Sequence, residues 1–152
     1  MKIAVQHEDF DLSAETRRLC EGRHDIGATV SFSGLVRDMS SDQSLVALEL
    51  EHYPGMTEKA LTDIANEACE RWEISDLTII HRVGRLAPGD NIVLVITASP
   101  HRREAFEACE FLMDYLKTRA PFWKKEVTRQ GEAWVASRDS DSQAAERWSK
   151  AD

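Results

Sequence analysis

The spacing of apolar and polar residues changes along this chain, and each change predicts an element. Residues 2–6 read as a short strand, and residues 13–21 as a helix with Ser13 placed to cap it. Over residues 28–36, Ala28, Val30, Phe32 and Val36 alternate with Thr29, Ser31 and Ser33, the pattern of a half-buried strand. Arg37 and Asp38 end it. The polar stretch from there to Ser44 holds no Gly or Pro and predicts a long, mobile loop. Val46, Leu48 and Leu50 then alternate with Ala47, Glu49 and Glu51 as a further strand.

Leu61, Ile64, Ala65, Ala68 and Trp72 recur at helical spacing, so residues 57–72 form a helix with Thr57 at its start. Residues 77–83 predict a strand and residues 87–90 a turn. The unbroken apolar run from Ile92 to Ile96 predicts a strand covered on both faces. After Ser99-Pro100-His101-Arg102, a helix runs to about Leu116 with Phe106, Cys109, Leu112, Met113 and Leu116 inward. Two strands, 122–127 and 133–136, turn around Gln130-Gly131, and a short helix closes the chain over residues 139–148. Strands and helices mixed in this order predict an α+β fold.

Composition narrows the class. A chain of 152 residues suits a single domain over residues 1–152. No apolar run approaches the ~20 residues of a membrane span, and the first nine residues lack a signal-peptide core, so a cytoplasmic protein is expected. Cys20, Cys69 and Cys109 are odd in number and far apart, which fits a reducing compartment rather than disulfides. Cys69 and Cys109 read as core thiols. The five histidines are scattered without metal-ligand spacing, so no metal site is expected.

Charge changes the picture further. The net charge is −8. Residues 1–76 hold 7 basic and 16 acidic side chains, residues 77–152 hold 12 and 11, and the acid is therefore concentrated in the first half. Lys117, Arg119, Lys124, Lys125 and Arg129 cluster with only Glu126 opposing them. An acidic body repels nucleic acid, whereas a local basic spot suits a small anion or a carboxylate tail. At Ser99–Arg102 a helix start offers free N–H groups, with His101 and Arg102 as added donors and Arg102 able to hold phosphate or carboxylate bidentately. Arg37, at a strand end, is a further anion clamp. Lys124 and Glu126 share one strand face and Lys125 and Val127 the other, so both lysines cannot enter one pocket. A lysine crowded by cations has a lowered pKa and serves as base or nucleophile. No Gly-rich phosphate loop follows any strand. Taken alone, these residues point to a small anionic ligand and lysine chemistry.

GLVRD at 34–38, LEHYPGMTEKAL at 50–61, HRVGRLAPGD at 81–90, SPHRREAFEACEFLMDYLKTRAPFWKKE at 99–126 and AAERW at 144–148 resemble the large, catalytic subunit of molybdopterin synthase. The resemblance implies an α/β-hammerhead fold with an additional antiparallel β-sheet subdomain. It implies sulfur transfer from the C-terminal Gly-Gly thiocarboxylate of a small ubiquitin-like partner subunit to cyclic pyranopterin monophosphate, forming the dithiolene of molybdopterin. It further implies a homodimer within a heterotetramer, and no cofactor. Carried onto this sequence, the family's active-site residues fall on Arg37, His101, Arg102, Lys117, Lys124 and Lys125. Arg37, His101 and Arg102 would hold the phosphate, the last two within the chain or from a second subunit. Lys117 would sit at the thiocarboxylate carbonyl, and Lys124 would move protons on the pterin side. Leu35 stands where that family often carries a basic residue. With sulfur supplied by the partner, the cysteines need no catalytic role. The competing class is a non-catalytic module that docks a ubiquitin-like tail along residues 122–135 by strand addition.

Overall fold

A computed structural model describes residues 1–38, 44–136 and 138–149; residues 39–43 of the expected loop lie outside the described residues. In chain order the elements are β1 (Lys2–Gln6), α1 (Leu12–Cys20), β2 (Ala28–Leu35), β3 (Leu45–His52), α2 (Met56–Arg71) and β4 (Asp76–Arg82). There follow β5 (Gly84–Leu86), β6 (Asn91–Ser99), α3 (Arg102–Arg119), β7 (Phe122–Thr128), β8 (Gly131–Val135) and α4 (Asp139–Ser149). They build two four-stranded sheets, β1-β4-β6-β2 and β5-β3-β7-β8. The β1–β4 pair is parallel and every other pair antiparallel, which makes the fold α+β.

The apolar run of β6 sits inside the first sheet, and its alternate residues feed two cores. Val93 and Val95 pack with Leu61, Ile64, Phe111 and Leu112 beneath α2 and α3. Leu94, Ile96 and Ala98 pack with Leu19 of α1 on the opposite face. A fully buried Leu or Ile contributes about 1.5–3 kcal/mol, so a strand buried on both faces anchors the molecule. A register shift between Gly34 and Leu35 ends β2. Val36 therefore leaves the face expected for it and joins Leu48, Leu50 and Leu86 in the core of the second sheet. Phe32, on the same edge strand, is 41% exposed.

Local chemistry corrects several expectations. Asp11, rather than Ser13, caps α1 by accepting the Ala14 N–H at 3.0 Å. Helix α2 starts after Gly55, whose φ of 84° only glycine tolerates easily, and Glu58 accepts the Gly55 N–H. Thr57 is instead fully buried, accepting the Tyr53 N–H and donating to the Pro121 carbonyl. Ser99 ends β6, donating to the Glu73 carbonyl and accepting the His101 N–H, and α3 begins after His101. Phe106 lies one position off the buried stripe Ala105, Ala108, Cys109, Leu112 and is 61% exposed. Cys69 is exposed, unlike Cys109, because it falls outside the α2 stripe of Leu61, Ile64, Ala65 and Ala68. Val46 is exposed while Ala47 is buried, because a register irregularity interrupts β3 there. Strand β5 was not expected: three residues are too few to show a period.

Candidate functional site

The two sheets and the C-terminal end of α3 enclose a cleft of about 380 Å³. Its size is within the ordinary range for a small-molecule site. Gly34, Leu35 and Arg37 enter from the end of β2, Leu48 from β3, His81 from β4 and Val93 from β6. Lys117 comes from the last turn of α3, Phe122, Lys124 and Glu126 from β7, and Arg138 and Asp141 from the start of α4.

Strand parity selects which β7 side chains enter. Phe122, Lys124 and Glu126 share the inner face. Lys125 turns to the other side, where its ammonium pairs with Glu49 at 3.1 Å and Glu132 at 3.3 Å. It also lies 5.6 Å from the Trp134 ring centre. The hydrogen bonds its ammonium donates to Glu49 and Glu132 raise its pKa. Lys125 is thus not brought to the cleft, as the two-face pattern of the strand requires.

The electrostatics of Lys124 differ from those of Lys125. Burial lowers its pKa, the neighbouring Lys117 lowers it further as a like charge and as a hydrogen-bond partner, and the amine titrates at about 8. Asp141 acts in the opposite direction. An amine that gives up its proton near pH 8 is suited to proton transfer close to neutral pH.

Arg37 reaches the same cleft. His101 and Arg102 do not line it: both are exposed at the start of α3, whereas Lys117 stands near the end of that 18-residue helix. At ~1.5 Å per residue, roughly 24 Å of helix separates His101 from Lys117. One copy of the chain cannot close that distance. The turn bearing His101 is itself held tightly, because Gly27 donates to the Ser99 carbonyl and a Cβ at Gly27 would meet the Pro100 carbonyl oxygen.

His81 was not expected here. It is 4% exposed and lies flat on Phe122, with ring centres 3.7 Å apart and planes at 16°. Burial lowers its pKa to about 4, with Lys124, Lys117 and His52 adding like-charge repulsion. The signal was present in the sequence: a polar residue directly after Ile79-Ile80 in a strand buried on both faces. Glu126 and Asp141 also line the cleft and balance part of its positive charge. Among the described residues no group of His, Cys, Asp and Glu could hold a metal ion, and no helix is long and apolar enough to cross a membrane.

Fold and cleft together define a two-sheet α+β protein with a cationic pocket for a small anionic ligand and a lysine pair suited to proton transfer. Comparison with known proteins makes the class specific. The model of the MoaE protein family matches residues 5–119, and the chain belongs to that family. A Ralstonia nicotianae protein named molybdopterin synthase catalytic subunit is 58% identical over 146 residues, covering 96% of this chain and 83% of the relative. The structure of the molybdopterin biosynthesis MoaE protein from Burkholderia ambifaria superposes with a TM-score of 0.83 at 55% identity, covering 97% of both chains. That of molybdopterin synthase from Staphylococcus aureus gives 0.79 at 34% identity, covering 87% of this chain and 95% of its own.

Proposed function

We propose that this chain is the catalytic subunit of a molybdopterin synthase. It transfers sulfur from the C-terminal thiocarboxylate of a small ubiquitin-like carrier to cyclic pyranopterin monophosphate, building the dithiolene of molybdopterin. The observation that carries this reading is the placement of Arg37, Lys117 and Lys124 around one cleft from three separate elements. The reaction brings two anions together, a phosphate and a thiocarboxylate, and cations in a partly dry cleft offset their repulsion. Lys117 stands at the carrier's carbonyl: the carrier's sulfur bonds to the pterin carbon, water adds to the resulting thioester carbonyl, and the Lys117 ammonium stabilises the oxyanion, which collapses as the carbon–sulfur bond breaks and leaves sulfur on the pterin and a carboxylate on the carrier. Lys124, with its amine titrating near 8, moves protons on the pterin side. Arg37 holds the phosphate.

His101 and Arg102 complete the anion grip from a second copy of the chain, since the length of α3 keeps them from their own cleft. The chain works as one domain over residues 1–152, as a homodimer that carries one small subunit at each end, in the cytoplasm.

The test is reconstitution with thiocarboxylated carrier and cyclic pyranopterin monophosphate, with dithiolene-bearing pterin as the readout. The wild type should form product. Lys117→Ala should lose at least two orders of magnitude in rate while remaining folded, the scale seen when one oxyanion donor is removed. Carrier binding without pterin binding or turnover would instead favour a tail-docking module. Near-normal turnover by Lys117→Ala would remove the lysine from the mechanism.

A further inference from the structure

The charged groups of the cleft are the cations Arg37, Lys117, Lys124 and Arg138 and the carboxylates Glu126 and Asp141, and His81 adds a group of a different kind. Its Nδ1 lies 2.8 Å from the Arg82 carbonyl oxygen, which can only accept, so Nδ1 carries the proton. The neutral ring then leaves Nε2 as a bare lone pair. Among the described residues nothing hydrogen-bonds Nε2, yet no buried side-chain nitrogen lacks a partner. Nε2 therefore keeps contact with open volume, and the open volume His81 lines is the cleft. The ring cannot turn away, because the Arg82 bond and the Phe122 stack hold its plane.

We propose that His81 is a specificity-determining residue: its Nε2 accepts a hydrogen bond from an N–H or O–H group on the ring system of the bound pterin phosphate. This deepens the functional reading above and rests on it. A lone pair repels phosphate and thiocarboxylate oxygens, so Nε2 has nothing to offer the anionic ends of either guest. It matches the uncharged, donor-bearing part of a heterocycle held between Arg37 on one side and the lysines on the other. Burial, together with repulsion from Lys117, Lys124 and His52, keeps the ring neutral at physiological pH, so the acceptor persists. A ligand lacking the donor would leave the lone pair dry and unpaired, which discriminates against it.

The test uses the reconstituted enzyme. His81→Asn keeps an amide N–H toward the Arg82 carbonyl and removes the acceptor at Nε2, while His81→Gln returns a polar amide near Nε2. His81→Asn should raise KM for the pterin phosphate about tenfold, the scale of one lost hydrogen bond. KM for the thiocarboxylated carrier and the pH profile of kcat should hold, and His81→Gln should recover part of the loss. An unchanged pterin KM in folded His81→Asn overturns the proposal. So does a shifted pH profile with unchanged KM, which would assign Nε2 to a lysine. The wild type supplies a readout independent of any variant: the 15N resonance of His81 Nε2 should move on saturation with the pterin phosphate and stay put with inorganic phosphate alone. No movement with the pterin phosphate overturns the proposal. Absence of turnover by the wild type would be failure of the functional reading itself, seen before any variant is made.

Discussion

Lys124 and Lys125 are neighbours in sequence with opposite chemistry, and strand parity is the cause. Lys125 is stabilised as a cation by Glu49 and Glu132. Lys124 is dried by the cleft and crowded by Lys117, so it deprotonates at about 8 instead of 10.5. The sign follows: the folded chain holds fewer protons on Lys124 between those values, so its contribution to stability rises with pH across that window. An NMR titration of the Lys124 side chain should give a midpoint near 8. In Lys117→Met the midpoint should move up yet stay below 10.5, because burial is the larger cause. A wild-type midpoint at 10.5 would contradict the reading. Lys117, Lys124 and Arg37 were legible because charge runs and strand ends show in a sequence. His81 left a weaker mark, a polar residue directly after Ile79-Ile80, and it takes the packing to show that its ring is dry and stacked.

At the scale of elements, long periodic runs were legible and their ends were not. The apolar run of β6 and the stripes of α2 and α3 appear as read, because burial on a face is written in the spacing. Caps depend on which nearby oxygen turns inward, so Asp11 displaced Ser13 and Glu58 displaced Thr57. Helix α4 deserves a direct test because it carries Arg138 and Asp141 to the cleft. Its anchor is Trp148, edge-on to Trp72 and Phe111, with its indole N–H on Asp114 at 2.7 Å and its carbonyl held by Arg71. Trp148→Ala should cost about 3 kcal/mol in urea unfolding, the low end for a packed tryptophan. Trp134→Ala, at a ring 60% exposed on β8, should stay within about 0.5 kcal/mol. Equal losses would mean that α4 is not held as described.

For the whole molecule, the fold class was legible and the assembly of the site was not. Mixed strands and helices predicted α+β, but neither the partition into two sheets nor the irregularity at Gly34/Leu35 is announced by any period. Past that irregularity Val36 packs into the core of the second sheet and Arg37 reaches the cleft. The same scale separates His101 and Arg102 from Lys117 by the length of α3, which is why the proposed function draws them from a second copy of the chain. A crystal structure with cyclic pyranopterin monophosphate bound tests this account most directly. The phosphate should lie on Arg37 and on His101 and Arg102 of a second copy, with the ring system beside Lys117 and Lys124. A ligand seated elsewhere, or a cleft left empty at saturating pterin phosphate, would contradict it.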